Sequence, residues 1–154
     1  MFKEMRRKDR KLEPSAAEEI LQKGEYGILS TIGENGYPYG VPVNYAYFNN
    51  TIAFHCAPEG HKLENLEHES KVSFTVVGNT CPLPEKFSTN YESVIVFGRV
   101  QEASEDEKEN ILLEIIKKYS PDFVDSGKDY ISKSSKHSKV FKINIEHISG
   151  KGRK

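Results

Sequence analysis

The 154-residue chain has few of the features that would tie it to an oxidising compartment, a membrane or a nucleic acid. It has two cysteines, Cys56 and Cys81, and no C-x-x-C pair. Free thiols in a reducing cytoplasm are the simplest reading of that usage. No apolar run approaches the roughly 20 residues needed to cross a bilayer. The start, Met1 to Lys11, is basic but has no apolar stretch behind it, so it does not read as a secretory signal. Charge of one sign is lacking too: 22 basic and 23 acidic side chains leave a formal net charge of −1. Wholesale nucleic-acid binding needs a basic surface to displace counterions from phosphates, and this chain has none to spare.

Hydrophobic residues at 36% and aromatics at 10% suffice for one modest core. The expectation is a single domain over residues 1–154, with a basic arm (1–13) and a loose tail (150–154). A domain of this size leaves much surface exposed, and dimerisation would bury more of it. The arm, MFKEMRRKDRKLEP, reads either as a solvated or frayed segment, or as one that packs on a dimer partner or covers a site.

Ser15 with Glu18 has capping-box spacing and predicts a helix start. Ala17, Ile20 and Leu21 would be its apolar face and Gly24 its stop. From Tyr26 the texture turns to short strands. Tyr26 to Ile32 is the first, and Asn35-Gly36 then signals a tight primed hairpin turn. Tyr39 to Phe48 is the second, and Pro42 makes it an edge or a bulge. Thr51 to Ala57 follows Asn49-Asn50. His61 to Glu69 reads as a short helix, and Lys71 to Gly78 as the fourth strand, followed by a loop containing Pro82 and Pro84. Tyr91 to Ala103 is a long fifth strand, kinked at Gly98.

Ser104 with Glu107 repeats the capping box ahead of a helix with Ile111, Leu112, Ile115, Ile116 and Tyr119 on one stripe. Asp122 to Lys139 reads as polar loop. Val140 to Gly150 is the last strand, with Val140, Lys142, Asn144 and Glu146 alternating against Phe141, Ile143, Ile145 and His147. About six antiparallel strands with few helices favour a closed or nearly closed barrel, since closure removes sticky edges.

The run from Phe54 to Lys62 passes from a strand through Gly60 into a helix start. A helix start offers unpaired N–H groups and partial positive charge, so with Lys62, and with His61 beside it, it forms a candidate phosphate seat. The competing reading is ordinary punctuation and a surface lysine. His55, Cys56, His61 and His68 have zinc-donor chemistry, but neighbours on a strand point to opposite faces, so the spacing does not suit a metal. Cys56 reads as a small buried hydrophobe rather than a nucleophile.

Residues 35–66, NGYPYGVPVNYAYFNNTIAFHCAPEGHKLENL, resemble the flavin-binding split barrel of the pyridoxamine 5′-phosphate oxidase-like superfamily. Within it, the nitroimidazole-resistance (NimA-like) group is most similar. MRRKDR, YESVIVFGRV and HISGK resemble that group's amino-terminal, central and closing segments. The resemblance implies a mainly β split barrel with flanking helices, forming a homodimer with FMN at the subunit interface. It implies that the flavin ring lies against Val41, Pro42, Val43 and Asn44, that the phosphate sits at His61 and Lys62, and that Ser93, with Tyr91 nearby, reaches the flavin from the partner. His55 would lie near the ring as proton donor or substrate anchor.

FAD, the deazaflavin F420 and haem are the alternative cofactors on the same barrel. The chain lacks the Arg-rich, Trp-containing carboxyl end that holds the phosphorylated vitamin in true oxidases of that name, which argues against vitamin B6 as substrate. The implied activity is electron transfer from reduced flavin to a small-molecule acceptor, nitroaromatics among them, with NAD(P)H as a donor. Non-catalytic flavin binding is the alternative. No metal, nucleic-acid or membrane partner is expected.

Overall fold

The computed structural model describes residues 1–154. Four helices and seven strands follow one another as α1 (Pro14–Lys23), β1 (Gly27–Ile32), β2 (Pro38–Val43), β3 (Ala46–Phe48), β4 (Thr51–Cys56), α2 (His61–His68), β5 (Lys71–Leu83), β6 (Ser88–Glu102), α3 (Glu105–Tyr119), α4 (Val124–Ser134) and β7 (Lys139–Arg153). No helix is long and apolar enough to cross a membrane.

The strands form one antiparallel sheet in the order β2-β1-β5-β6-β7-β4-β3. β2 and β3 are therefore its two edges, yet only Asn44 and Tyr45 separate them in the chain. The three steps from Val43 to Ala46 span at most about 11 Å, so the sheet must curl until its edges almost meet. This is the split barrel. Tyr45 pins the seam. It is fully buried, and its hydroxyl donates to the Leu21 carbonyl at 2.5 Å. Its N–H donates to the Tyr119 hydroxyl at 3.1 Å, and the Tyr119 hydroxyl donates to the Glu25 carbonyl at 2.6 Å.

Inward-facing Leu29, Phe74, Val94, Val96, Phe54 and Ile143 fill the barrel, plugged by Ile20 and Leu21 of α1 and by Leu63 and Leu66 of α2. Each fully buried side chain of this size contributes roughly 1.5–3 kcal/mol. A second cluster joins Ile111, Leu112 and Ile115 of α3 and Ile131 of α4 to Ala46, Ala53 and Val140. Val140, on the expected wet side of β7, is therefore buried, because α3 and α4 cover that end of the strand.

Six expected strands become seven, because Tyr39 to Phe48 is broken at the seam. Pro42 does lie on an edge strand, opposite Ile28. The primed turn is not at Asn35-Gly36. Only Gly36 has positive φ there (+78°), and its N–H bonds the Gly33 carbonyl in a longer loop. Asn49 and Asn50 both have positive φ (49° and 55°) between the paired Phe48 and Thr51, so the two-residue hairpin is there.

α1 starts one residue before Ser15, with Pro14 in its first turn and no side-chain cap, whereas the Ser104–Glu107 capping box is present in full. β5 continues through Pro82 to Leu83 in place of a loop. The segment expected to be polar loop contains α4, seated through Ile131.

The tail is not loose: Lys151 to Arg153 pair with Ser93 to Tyr91. Nor is the arm a solvated coil. Lys11 bridges Lys151, the Leu12 N–H bonds the Gly150 carbonyl, and the Phe2 ring stacks on Phe97 and His147. Gly98 marks the register shift between β6 and β7, where a Cβ would collide with the Asn144 carbonyl.

Candidate functional site

β2 carries three of the expected residues, Val41, Pro42 and Val43, at an open edge, and Asn44 follows it. Alternation puts Tyr39, Val41 and Val43 toward the barrel and Gly40 and Pro42 outward, since Val41 and Val43 lie opposite Leu29 and Gly27. Val43 belongs to the core, and Asn44 is exposed on the seam. An edge strand aims alternate N–H and C=O groups away from its ladder. Those free groups, and not the valine side chains, are what β2 can offer a polar ring edge.

α2 begins beside that edge. Gly60 has φ +138°, which favours glycine, and the space where a Cβ would project is empty. No side chain caps the helix, and its first backbone bond is Glu64 N–H to the Gly60 carbonyl. The N–H groups of His61, Lys62 and Leu63 are thus available at the positive end of the helix dipole. The Lys62 ammonium lies 5.8 Å from the centre of the Phe54 ring and has no carboxylate partner. Free N–H groups and an unpaired ammonium are the chemistry by which an anion is held.

His61 leaves the helix in another direction. Its ring lies 4.0 Å from that of Tyr39, centroid to centroid. It also lines a polar cleft of about 720 Å³ shared with Glu34, Glu64 and Glu67. Those carboxylates make the cleft itself a poor place for an anion, so at the side-chain level the seat belongs to Lys62.

His55 projects from β4 on the side of α3 and α4. It lines a cavity of about 200 Å³ with Leu112, Ile115, Ile131, Tyr130 and His137. Partial desolvation against that cavity, and then the charge of Lys62, lower its pKa from the ordinary value, although the residue as a whole stays exposed, and this favours the neutral imidazole. Burial pushes the neighbouring Cys56 thiol up, which keeps it protonated and unreactive.

Ser93 and Tyr91 lie on the outer face of β6. In one chain they are not near Lys62. Ser93 pairs with Val77 at the Asn44 end of the barrel, while Tyr39 and His61 lie about five residues further along the strands, roughly 16 Å away, with lateral strand spacings to add. The outer face between them carries Ile32, Ile95 and Phe97, each 39% exposed, and Val77, 59% exposed. Small residues separate them: Gly40, Ser30, Ser73 and Thr75. Phe2 stacks on Phe97, and the rest of the face exposes apolar side chains of the kind proteins cover with a partner.

Sequence reasoning singled out neither Tyr39, which joins β2 to α2, nor His137 and Tyr130, which complete the cavity at His55. All three are brought in by topology. Arg10, Lys151 and Arg153, which gather around Tyr91, were equally invisible, although the arm and the closing segment that carry them stood out in the sequence.

A family model described as pyridoxamine 5′-phosphate oxidase matches residues 13–152. Comparison with curated proteins gives no match. Among solved structures, a candidate 5-nitroimidazole antibiotic resistance protein from Bacteroides thetaiotaomicron superposes with a TM-score of 0.76 at 25% identity, over 92% of this chain and 86% of its own. A FAD-binding protein from Mesorhizobium loti gives 0.66 at 24% identity, over 94% and 98%. A FAD and haem binding protein from Mycobacterium smegmatis gives 0.80 at 14% identity, over 92% and 72%. The last two are likenesses of fold.

Proposed function

The chain belongs to the pyridoxamine 5′-phosphate oxidase family, and from that premise we propose that it is a homodimeric flavin-binding oxidoreductase. The observation that carries the reading is the Tyr39–His61 contact, which sets the uncapped start of α2 against the free edge of β2. An anion seat and a row of unpaired backbone groups adjoin, as a phosphorylated planar ring requires. The names of the Mesorhizobium and Mycobacterium structures support a flavin on this fold.

A bound flavin supplies the electron transfer itself. The chain's part is to hold, orient and exclude water. Lys62 and the N–H groups of His61 to Leu63 hold the phosphate, with FMN as the simplest occupant. Backbone groups from Val41 to Asn44 meet the ring edge, where Pro42 has no N–H to compete. The neutral His55 imidazole would accept a proton, or donate a hydrogen bond through its one N–H, beside a largely apolar cavity. A small acceptor, nitroaromatics among the class, takes the electrons, and NAD(P)H is the donor. Ser93 and Tyr91 would reach the Lys62 seat only from a second copy, because within one chain they lie at the far end of the strands from it. The apolar outer face of β1, β5 and β6 is the surface that copy covers.

Titration of the purified chain with FMN and with FAD, followed by flavin fluorescence, tests the proposal. Saturable quenching is expected, weakened tenfold or more by Lys62→Ala, since a hydrogen bond to a charged group is worth about 1.5–3 kcal/mol. Absence of quenching contradicts flavin binding. Unchanged affinity in Lys62→Ala contradicts the seat.

A further inference from the structure

Tyr91 stands among three cations that form no ion pair, although Asp9, bonded to Arg7, lies close enough for its charge to act on Arg10. Arg10 Nη1 donates to the Tyr91 hydroxyl at 3.5 Å. Lys151 Nζ lies 5.9 Å from the centre of its ring. Arg153 is its cross-strand partner and donates through Nη1 to the Thr89 carbonyl at 3.4 Å. Cross-strand partners place their Cβ atoms about 5 Å apart on the same face. All four residues are half-buried. The chain's ion pairs use other groups, and Arg7, the fourth cation nearby, is already bonded to Asp9.

The arm delivers Arg10 by a fixed backbone route. Its N–H bonds the Arg7 carbonyl, that of Lys11 the Lys8 carbonyl, and Lys11 then bridges Lys151. Three positive charges on one small face repel one another, and an anion among them would relieve that repulsion. A single carboxylate would leave two charges over. Two guanidinium forks, an ammonium and a phenol suit an oxygen-rich anion of higher charge.

We propose that Arg10, Lys151, Arg153 and Tyr91 form an anion site for the diphosphate of a nucleotide ester, separate from the Lys62 seat. The site stands on the cluster and not on the flavin reading. Its occupant is the diphosphate of a nicotinamide dinucleotide donor, since the flavin-side phosphate of FAD is the one that the Lys62 seat would hold.

Calorimetric titration of the full chain, in its native oligomeric state, with inorganic pyrophosphate and with ADP tests it. One saturable site per chain is expected, weakened at least tenfold in Lys151→Ala/Arg153→Ala and largely kept in Arg10→Lys. Circular dichroism checks that the double variant is folded, and if it is not, Arg10→Ala, on the arm, carries the same test. FAD and FMN are expected to bind alike, and NADPH to displace pyrophosphate. A wild type that prefers FAD to FMN, with the preference lost in the double variant, makes the cluster part of the flavin's own phosphate site and overturns the proposal. Pyrophosphate binding that neither ADP nor a dinucleotide displaces means an adventitious ion only, and overturns the proposal. So does unchanged affinity in the variants, or no binding, as when a partner's carboxylates fill the cluster. A chain that binds ADP here but no flavin overturns the flavin reading and leaves this one.

Discussion

The ring of Tyr39 and the imidazole of His61 lie 4.0 Å apart, centroid to centroid, and through that contact the first residue of α2 is fixed against the edge strand β2. The contact sets where the helix's free N–H groups sit relative to the strand's free edge. Tyr39→Ala should loosen that relation without emptying the core, since Tyr39 is not fully buried. Weaker flavin binding with a thermal midpoint lowered by only a few degrees is the expected result. Unchanged flavin affinity would mean that α2 is positioned by Leu63 and Leu66 alone.

If the site is shared between subunits, chains carrying Lys62→Ala and chains carrying Ser93→Ala should complement one another. Co-expressed, they should give mixed dimers with one intact site of two, recovering flavin that neither homodimer holds. No recovery would show that Ser93 does not cross the interface.

Lys118 gives a pH signature. Its ammonium lies 3.7 Å from the centre of the Tyr45 ring and donates to the Tyr45 carbonyl at 3.0 Å, and burial lowers its pKa to about 8. In the unfolded chain a lysine titrates near 10.4. Between these values the unfolded state holds the proton and the folded state releases it, so this residue's contribution to stability rises with pH from about 8 to about 10.5. Against Lys118→Met, the wild type should therefore gain in relative thermal midpoint as pH goes from 7 to 10.5. A difference that does not change with pH would contradict this.

Tyr45→Phe removes the donor to the Leu21 carbonyl at the end of α1 and should cost about 1–3 kcal/mol, read as a lower denaturant midpoint at unchanged slope. Ser104→Ala, which breaks the capping box of α3, should cost about 0.5–2 kcal/mol by the same measurement.

What was legible in the sequence was what is local. Ser104 and Glu107 satisfy each other within one turn, so spacing alone revealed them. Pro42 cannot donate, so its place on an edge followed. The misreadings lie where partners distant in the chain decide. Asn35-Gly36 has the composition of a tight turn, but the pairing of Ile32 with Pro38 leaves five residues between the strands. α4 contains Gly127 and several serines, weak helix formers, and is held by Ile131 in a cluster formed by α3, β4 and β7. Lys151 to Arg153 look like a tail until β6 pairs with them. The same holds for the site. The place of Lys62 in the first turn of a helix could be read from Gly60 before it, whereas Tyr39 beside His61, and Arg10 beside Tyr91, exist only once the barrel has curled.

The most direct test of the central claim is the absorbance spectrum of the purified protein, before and after heat release of any ligand. Paired flavin bands, with FMN or FAD in the released fraction, are the predicted result. A colourless protein that also takes up no added flavin would contradict the account, as would a haem or deazaflavin spectrum, which would keep the barrel and replace its chemistry.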